Sequence, residues 1–149
     1  MRVLVRVATE RDDALIEALA QDAGLNVRPG DERKKTQARL GVADILQLPE
    51  PKFAGFVLCW IAADEVEVLD VAVVKEHRSQ GVGAALMRHA LAMAVGEGCT
   101  TAFLEVRRKN APAQALYRAC GFQLAYERSS YYSDGEDALI FRCCLDGQV

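Results

Sequence analysis

A single mixed α/β domain is the fold class this sequence predicts, and three observations predict it. Apolar runs of strand length recur along the chain, stretches with apolar residues at helical spacing fall between them, and turn residues separate the two kinds of segment. The length of 149 residues leaves room for one core and not two, so one domain is expected over residues 1–149.

Arg2 to Ala8, rich in Val and Leu, reads as the first strand. Thr9 then supplies an N-cap, with Glu10 and Asp12 where the helix dipole favours acids, and Leu15, Ile16 and Leu19 keep helical spacing until Gly24. From Leu25 to Glu50 the periodicity fades. Arg28-Pro29-Gly30 reads as a turn, and the run Asp31-Glu32-Arg33-Lys34-Lys35 as a solvated helix face or a guide for an acidic substrate. Phe53 to Ala62 and Val66 to Val74 are apolar runs that pair as a hairpin across Asp64-Glu65. The polar segment Lys75 to Gly83 opens a helix whose Val82, Leu86, Ala90, Met93 and Ala94 share one face and which Gly96 and Gly98 end. Thr100 to Val106 is a strand, and Asn110 to Cys120 a short helix stopped by Gly121. Phe122 to Arg128 and Ala138 to Leu145 are strands joined across Ser133-Asp134-Gly135.

Composition excludes several function classes. A net charge of -3 argues against a sequence-independent nucleic-acid binder, which needs a basic surface. No stretch approaches the ~18 apolar residues of a membrane span, and the charged start Arg2 to Val7 is unlike a signal peptide. Cys59, Cys99, Cys120, Cys143 and Cys144 are scattered, without the Cys/His spacing of a zinc site. A cytoplasmic protein with reduced thiols and no metal is the expectation.

The most informative stretch runs from Val71-Ala72-Val73 through Arg78-Ser79-Gln80-Gly81-Val82-Gly83-Ala84 into the amphipathic helix. The first N–H groups of a helix lack intrahelical partners and lie at the positive end of its dipole. Glycines let oxygens approach the backbone, and Arg78 adds a cation, so a pyrophosphate fits. The spacing is neither Gly-x-Gly-x-x-Gly nor a P-loop.

Arg78-x-x-Gly81-x-Gly83-Ala84 after a strand resembles the acetyl-CoA pyrophosphate motif of the GNAT family of N-acetyltransferases. Leu104-Glu105-Val106-Arg107, Asn110, Ala115-Leu116-Tyr117, Gly121-Phe122, Tyr131-Tyr132 and Glu136-Asp137-Ala138 are similar to the bacterial RimI branch, which acetylates a ribosomal protein's N-terminal alanine. The resemblance spans residues 53 to 145. It implies a mixed, mostly antiparallel sheet flanked by helices, with splayed strands that form an acetyl-CoA cleft.

It also implies roles. Glu105 matches the general base that deprotonates the acceptor amine, and Tyr117 the general acid that protonates the departing thiolate. Val71, Ala72 and Val73, the loop Arg78 to Ala84, and Asn110 match the cofactor-binding positions, with the Val73 N–H facing the thioester carbonyl. Tyr131, Tyr132, Glu136 and Asp137 shape the acceptor mouth. Each residue also has a plainer reading: Glu105 paired with Arg107 or Arg142, Tyr117 packed on the sheet, Asn110 an N-cap, the two tyrosines hairpin packing. Cys59 or Cys120 as an acetyl carrier lacks a histidine at a partner position, so direct attack in a ternary complex is expected. The acceptor implied is a protein N-terminus, with a ribosomal protein as the candidate; a lysine, a small-molecule amine, or a CoA-binding module without turnover are the alternatives.

Overall fold

The computed structural model describes residues 2–47 and 49–145; the remainder of the expected 1–149 domain lies outside them. Its strands are β1 (Arg2–Val7), β2 (Ala38–Leu46), β3 (Lys52–Ala62), β4 (Glu65–Val73), β5 (Thr101–Arg107), β6 (Gln123–Arg128) and β7 (Ala138–Cys144), and its helices α1 (Asp13–Asp22), α2 (Pro29–Arg33), α3 (Val82–Gly96) and α4 (Ala111–Ala119). The strands form one seven-stranded sheet in the order β1-β2-β3-β4-β5-β7-β6. Among the described residues only β4 and β5 pair in parallel. The expected mixed, mostly antiparallel sheet is therefore present.

Two apolar layers sandwich the sheet. On one face Val66, Val68, Ala102, Leu104, Leu139 and Phe141 meet Leu86, Met87, Ala90 and Ala94 of α3, with Leu116 and Tyr117 of α4 at the margin. On the other, Ile16, Leu19 and Ala20 of α1 cover Val42, Phe56, Leu58 and Ala72. On that second face Glu67 of β4 and Glu105 of β5 remain exposed.

The parallel pairing is short. Glu65 to Val68 pair with Thr101 to Leu104, yet β4 continues to Val73 and β5 to Arg107. Beyond Val68 and Leu104 the strands diverge and leave a gap in the middle of the sheet. The Val74 N–H donates to Ala54 O at 2.7 Å. By the alternation of an antiparallel ladder, the N–H groups of Val71 and Val73 then face the gap. A bulge adds to this: Cys59 pairs with Val68 and Leu58 with Asp70, which leaves Leu69 as an extra residue in β4.

Two features were not legible in the sequence. The weakly periodic segment contains β2, which pairs with both β1 and β3. Buried on both faces, β2 shows no alternation, and Gly41 and Asp44 dilute its strand character. The charge run is also not simply solvated. Arg33 pairs with Asp13 of α1, while buried Glu32 accepts from Trp60 Nε1 at 3.0 Å and from Lys35 Nζ at 3.0 Å. The run holds α2 against α1 and β3.

An ion network anchors the edge strand. Arg6 donates to both oxygens of buried Asp12 at 2.8 Å and to Asp44 at 2.9 Å. Arg6, followed by the Thr9 N–H, holds the Asp12 carboxyl below its usual 3.8 despite burial. A carboxyl depressed in the folded state stabilises the fold above its unfolded-state value, and that contribution is lost as pH falls through the folded value. Asp12→Asn should therefore lower stability by on the order of 2 kcal/mol near pH 7. The difference from the parent should narrow below about pH 4 in urea titrations run at several pH values.

Candidate active site

The loop after β4 enters α3 through alternate residues at positive φ, Ser79 at 61° and Gly81 at 83°. Such alternation turns successive N–H groups to one side. Gly81 is the N-cap, and a Cβ added there would meet nothing within 4 Å. No acid stands in the first turn of α3, whose first N–H groups lack intrahelical acceptors. Arg78 Nε donates to Val73 O at 3.2 Å and ties the loop to the strand end. Gly83 also lies against α4: a Cβ there would press on Leu116 Cδ2 at 3.2 Å.

An open, acid-free helix N-terminus beside a gap lined by two backbone N–H groups suits a pyrophosphate with an extended arm. Asn110 caps α4, its Oδ1 accepting from the Ala113 N–H at 3.2 Å.

Glu105 stands on the open face of β5 and is exposed. Tyr131 Oη donates to Glu105 Oε1 at 3.2 Å. The charge of Glu105 holds the Tyr131 phenol above its usual range, so Tyr131 remains a donor. The Arg107 guanidinium considered from the sequence as a partner goes elsewhere: it binds Asp134 and Glu136, both at 2.9 Å. Glu105 lines a cavity of about 390 Å³ with Trp60, Glu67, Tyr126 and Arg128. Desolvation, then the charge of Glu105, holds the Glu67 carboxyl up.

Tyr117 reaches from α4 with its ring edge-on to Phe122, centroids 6.3 Å apart. Burial pushes its phenol up, and the charge of Asp70 adds to the effect. A protonated phenol at neutral pH follows. Asp70 lines a second cavity, of about 410 Å³, with Arg28, Glu32, Leu58 and Trp60. Trp60 is shared by the two cavities.

Of the other acceptor-mouth candidates, Tyr132 packs edge-on against Tyr131, ring centres 5.2 Å apart, whereas Glu136 and Asp137 are engaged elsewhere. Tyr132 lies under Arg107, the guanidinium carbon 4.0 Å from its ring centre. Glu136 accepts from the Lys109 N–H and from Arg107, and Asp137 from the Ser130 N–H and Arg108. These carboxylates fasten the β6–β7 hairpin to the end of β5, and of the four candidates only Tyr131 touches Glu105. Glu67 and Asp70 were missed, although each interrupts an apolar run, and a polar residue inside such a run is the informative exception. Of the thiols considered as acetyl carriers, burial pushes Cys59 up to about 12 and also raises Cys120.

The gap, the phosphate-ready loop and the carboxylate–tyrosine pair define an acetyltransferase of the GNAT class. The chain belongs to the acetyltransferase (GNAT) family, whose model matches residues 14–122. Among its relatives, the ribosomal protein bS18-alanine N-acetyltransferase of Escherichia coli K12 is 40% identical over 92 residues, 60% of this chain and 62% of that protein. The chain thus matches about three-fifths of that relative's length. The crystal structure of the Escherichia coli ribosomal-protein-S18-alanine N-acetyltransferase superposes with a TM-score of 0.82, covering 97% of this chain and 94% of that one at 27% identity. The streptothricin acetyltransferase of Streptomyces lavendulae is 33% identical over 134 residues, 86% of this chain and 69% of that protein.

Proposed function

We propose that this protein transfers the acetyl group of acetyl-CoA to the N-terminal α-amino group of a protein, a ribosomal protein being the acceptor its bS18-alanine N-acetyltransferase relatives suggest. The observation that carries this reading is Glu105 held by Tyr131 on the open face, beside the divergence of β4 and β5. Acetyl-CoA, when bound, supplies an activated acetyl thioester. The N–H groups of Ser79 to Ala84, with Arg78, hold its phosphates, and the Val71 to Val73 edge and Asn110 its arm. Glu105 accepts the proton of the incoming ammonium, while Tyr131 fixes the carboxylate's orientation. The Val73 N–H, with that of Val71, faces the carbonyl and stabilises the charge that develops there. Tyr117, kept protonated by burial, delivers a proton to the departing sulfur. Raised thiol values at Cys59 and Cys120 support direct attack over an acetyl-cysteine route.

A second reading, a small-molecule amine as acceptor, is favoured by one observation: the match to streptothricin acetyltransferase covers 86% of this chain, including segments that precede β3. Acetyl-CoA-dependent release of CoA, assayed over N-terminal peptides and small amines, decides between them. Turnover on alanine-initiated peptides with intersecting initial-rate lines is the expected outcome. Turnover confined to small amines would move the assignment to the second reading, and parallel lines would reinstate a covalent intermediate.

A further inference from the structure

We infer that Asp70 is the anchor for the acceptor's ammonium group, which it receives from the side of α2. The inference builds on the acetyl-transfer reading above and adds a residue to it.

Three features of β4 carry the assignment. First, the side chains of Val66 and Val68 point into the apolar layer beneath α3. Strict alternation would send Asp70 after them, an unpaired carboxylate in an apolar core. The extra residue Leu69 reverses the parity, and Asp70 emerges with its partner Leu58 on the opposite face. Second, Asp70 immediately precedes Val71, whose N–H faces the gap, and so stands just beyond the point at which β4 and β5 cease to pair. Third, the carboxylate has no ion pair or hydrogen bond among the described residues, although it is half-buried and opens into the α2-side cavity. Nearby Glu32 is already satisfied by Trp60 and Lys35. A half-buried carboxylate without a protein partner is left to receive a cation from outside. Glu105 lines the neighbouring cavity, which shares Trp60 with the α2-side one, and keeps its proposed role as proton acceptor.

The test separates binding from turnover. With CoA present, calorimetry compares a short alanine-initiated peptide with its N-acetylated counterpart, which carries no ammonium. The parent should prefer the free amine by roughly tenfold or more, the range of a hydrogen bond to a charged group, and Asp70→Asn should abolish the preference. Asp70→Ser, which removes the carboxylate without an isosteric amide, should behave alike. In steady-state assays Asp70→Asn should raise the acceptor KM by about the same factor, with kcat and the acetyl-CoA KM within about threefold. Its melting temperature should be unchanged or higher, because no partner is left unpaired. Preference retained in Asp70→Asn, no preference in the parent, or a melting temperature more than ~5 °C lower would each overturn the anchor. Preference that depends on Asp70 without CoA release from any amine would instead refute the proposed activity and leave the ammonium site standing.

Discussion

Glu105→Gln is expected to lower kcat by ~10²–10⁴, the range for a positioned acid–base group, and to leave the acetyl-CoA KM almost unchanged. The substitution preserves shape, and the amide oxygen still accepts from Tyr131 Oη, so the hairpin keeps its anchor on β5. What is lost is a site for the amine proton. Raising pH through the α-amino range, near about 8, should restore part of the rate, because solvent then supplies the deprotonated amine. Tyr117→Phe is the control for the opposite end of the reaction, and its loss should persist at high pH. A reporter independent of turnover is Glu67, whose carboxyl is held up by burial and, secondarily, by the Glu105 charge. Its titration, followed by NMR, should move down in Glu105→Gln. A loss below about threefold at every pH would make Glu105 a structural carboxylate and pass the base role to another group on the cavity wall.

The parts of the fold that announced themselves in the sequence are those with one clear period or one clear interruption. Helix α3 declares itself by its apolar face and by the glycine-bearing loop before it; β3 does so by an uninterrupted apolar run, and β4 by a run broken at Glu67 and Asp70. Strand β2 does neither, because both of its faces are buried and Asp44 inside it is neutralised by Arg6 from a distant segment. No local pattern encodes a partner 38 residues away.

The candidate site divides along the same line. Glu105, Tyr117, Asn110 and the loop Arg78 to Ala84 were picked out by the resemblance, and the structure gives their settings: Glu105 on an exposed strand face, Asn110 at the N-terminus of α4, Tyr117 within that helix and the loop at the start of α3. Glu136 and Asp137 were placed at the acceptor mouth because charge alone was visible; that Arg107, Arg108 and two backbone N–H groups engage them is a fact of hairpin geometry. Asp70 was hidden for a sharper reason. Its face depends on the parity of β4, and one bulged residue reverses that parity without any mark in the composition of the strand.

The second large effect is expected at the loop. Gly81→Asp should weaken acetyl-CoA binding about 10²-fold, whereas Gly81→Asn should weaken it only several-fold. The two variants share their backbone demands, since Asp and Asn tolerate positive φ about equally and the position has open space around it. They differ in charge alone. Like charges about 4 Å apart repel by about 4 kcal/mol at an intermediate dielectric, and solvent screening at an exposed loop reduces this to roughly 2–3 kcal/mol. The helix adds to the contrast. A carboxylate at the N-terminus of α3 is itself stabilised by the unpartnered N–H groups, so it competes for the donors a phosphate would use and does not destabilise the fold. Melting temperatures of the two variants should therefore agree, and any affinity difference between them reports on an anion at this loop. The gap should also narrow as salt is raised, because the repulsion is partly exposed. Equal affinities for Gly81→Asp and Gly81→Asn at low salt would move the phosphate site away from the α3 N-terminus, and with it the alignment of the cofactor arm along Val71 to Val73.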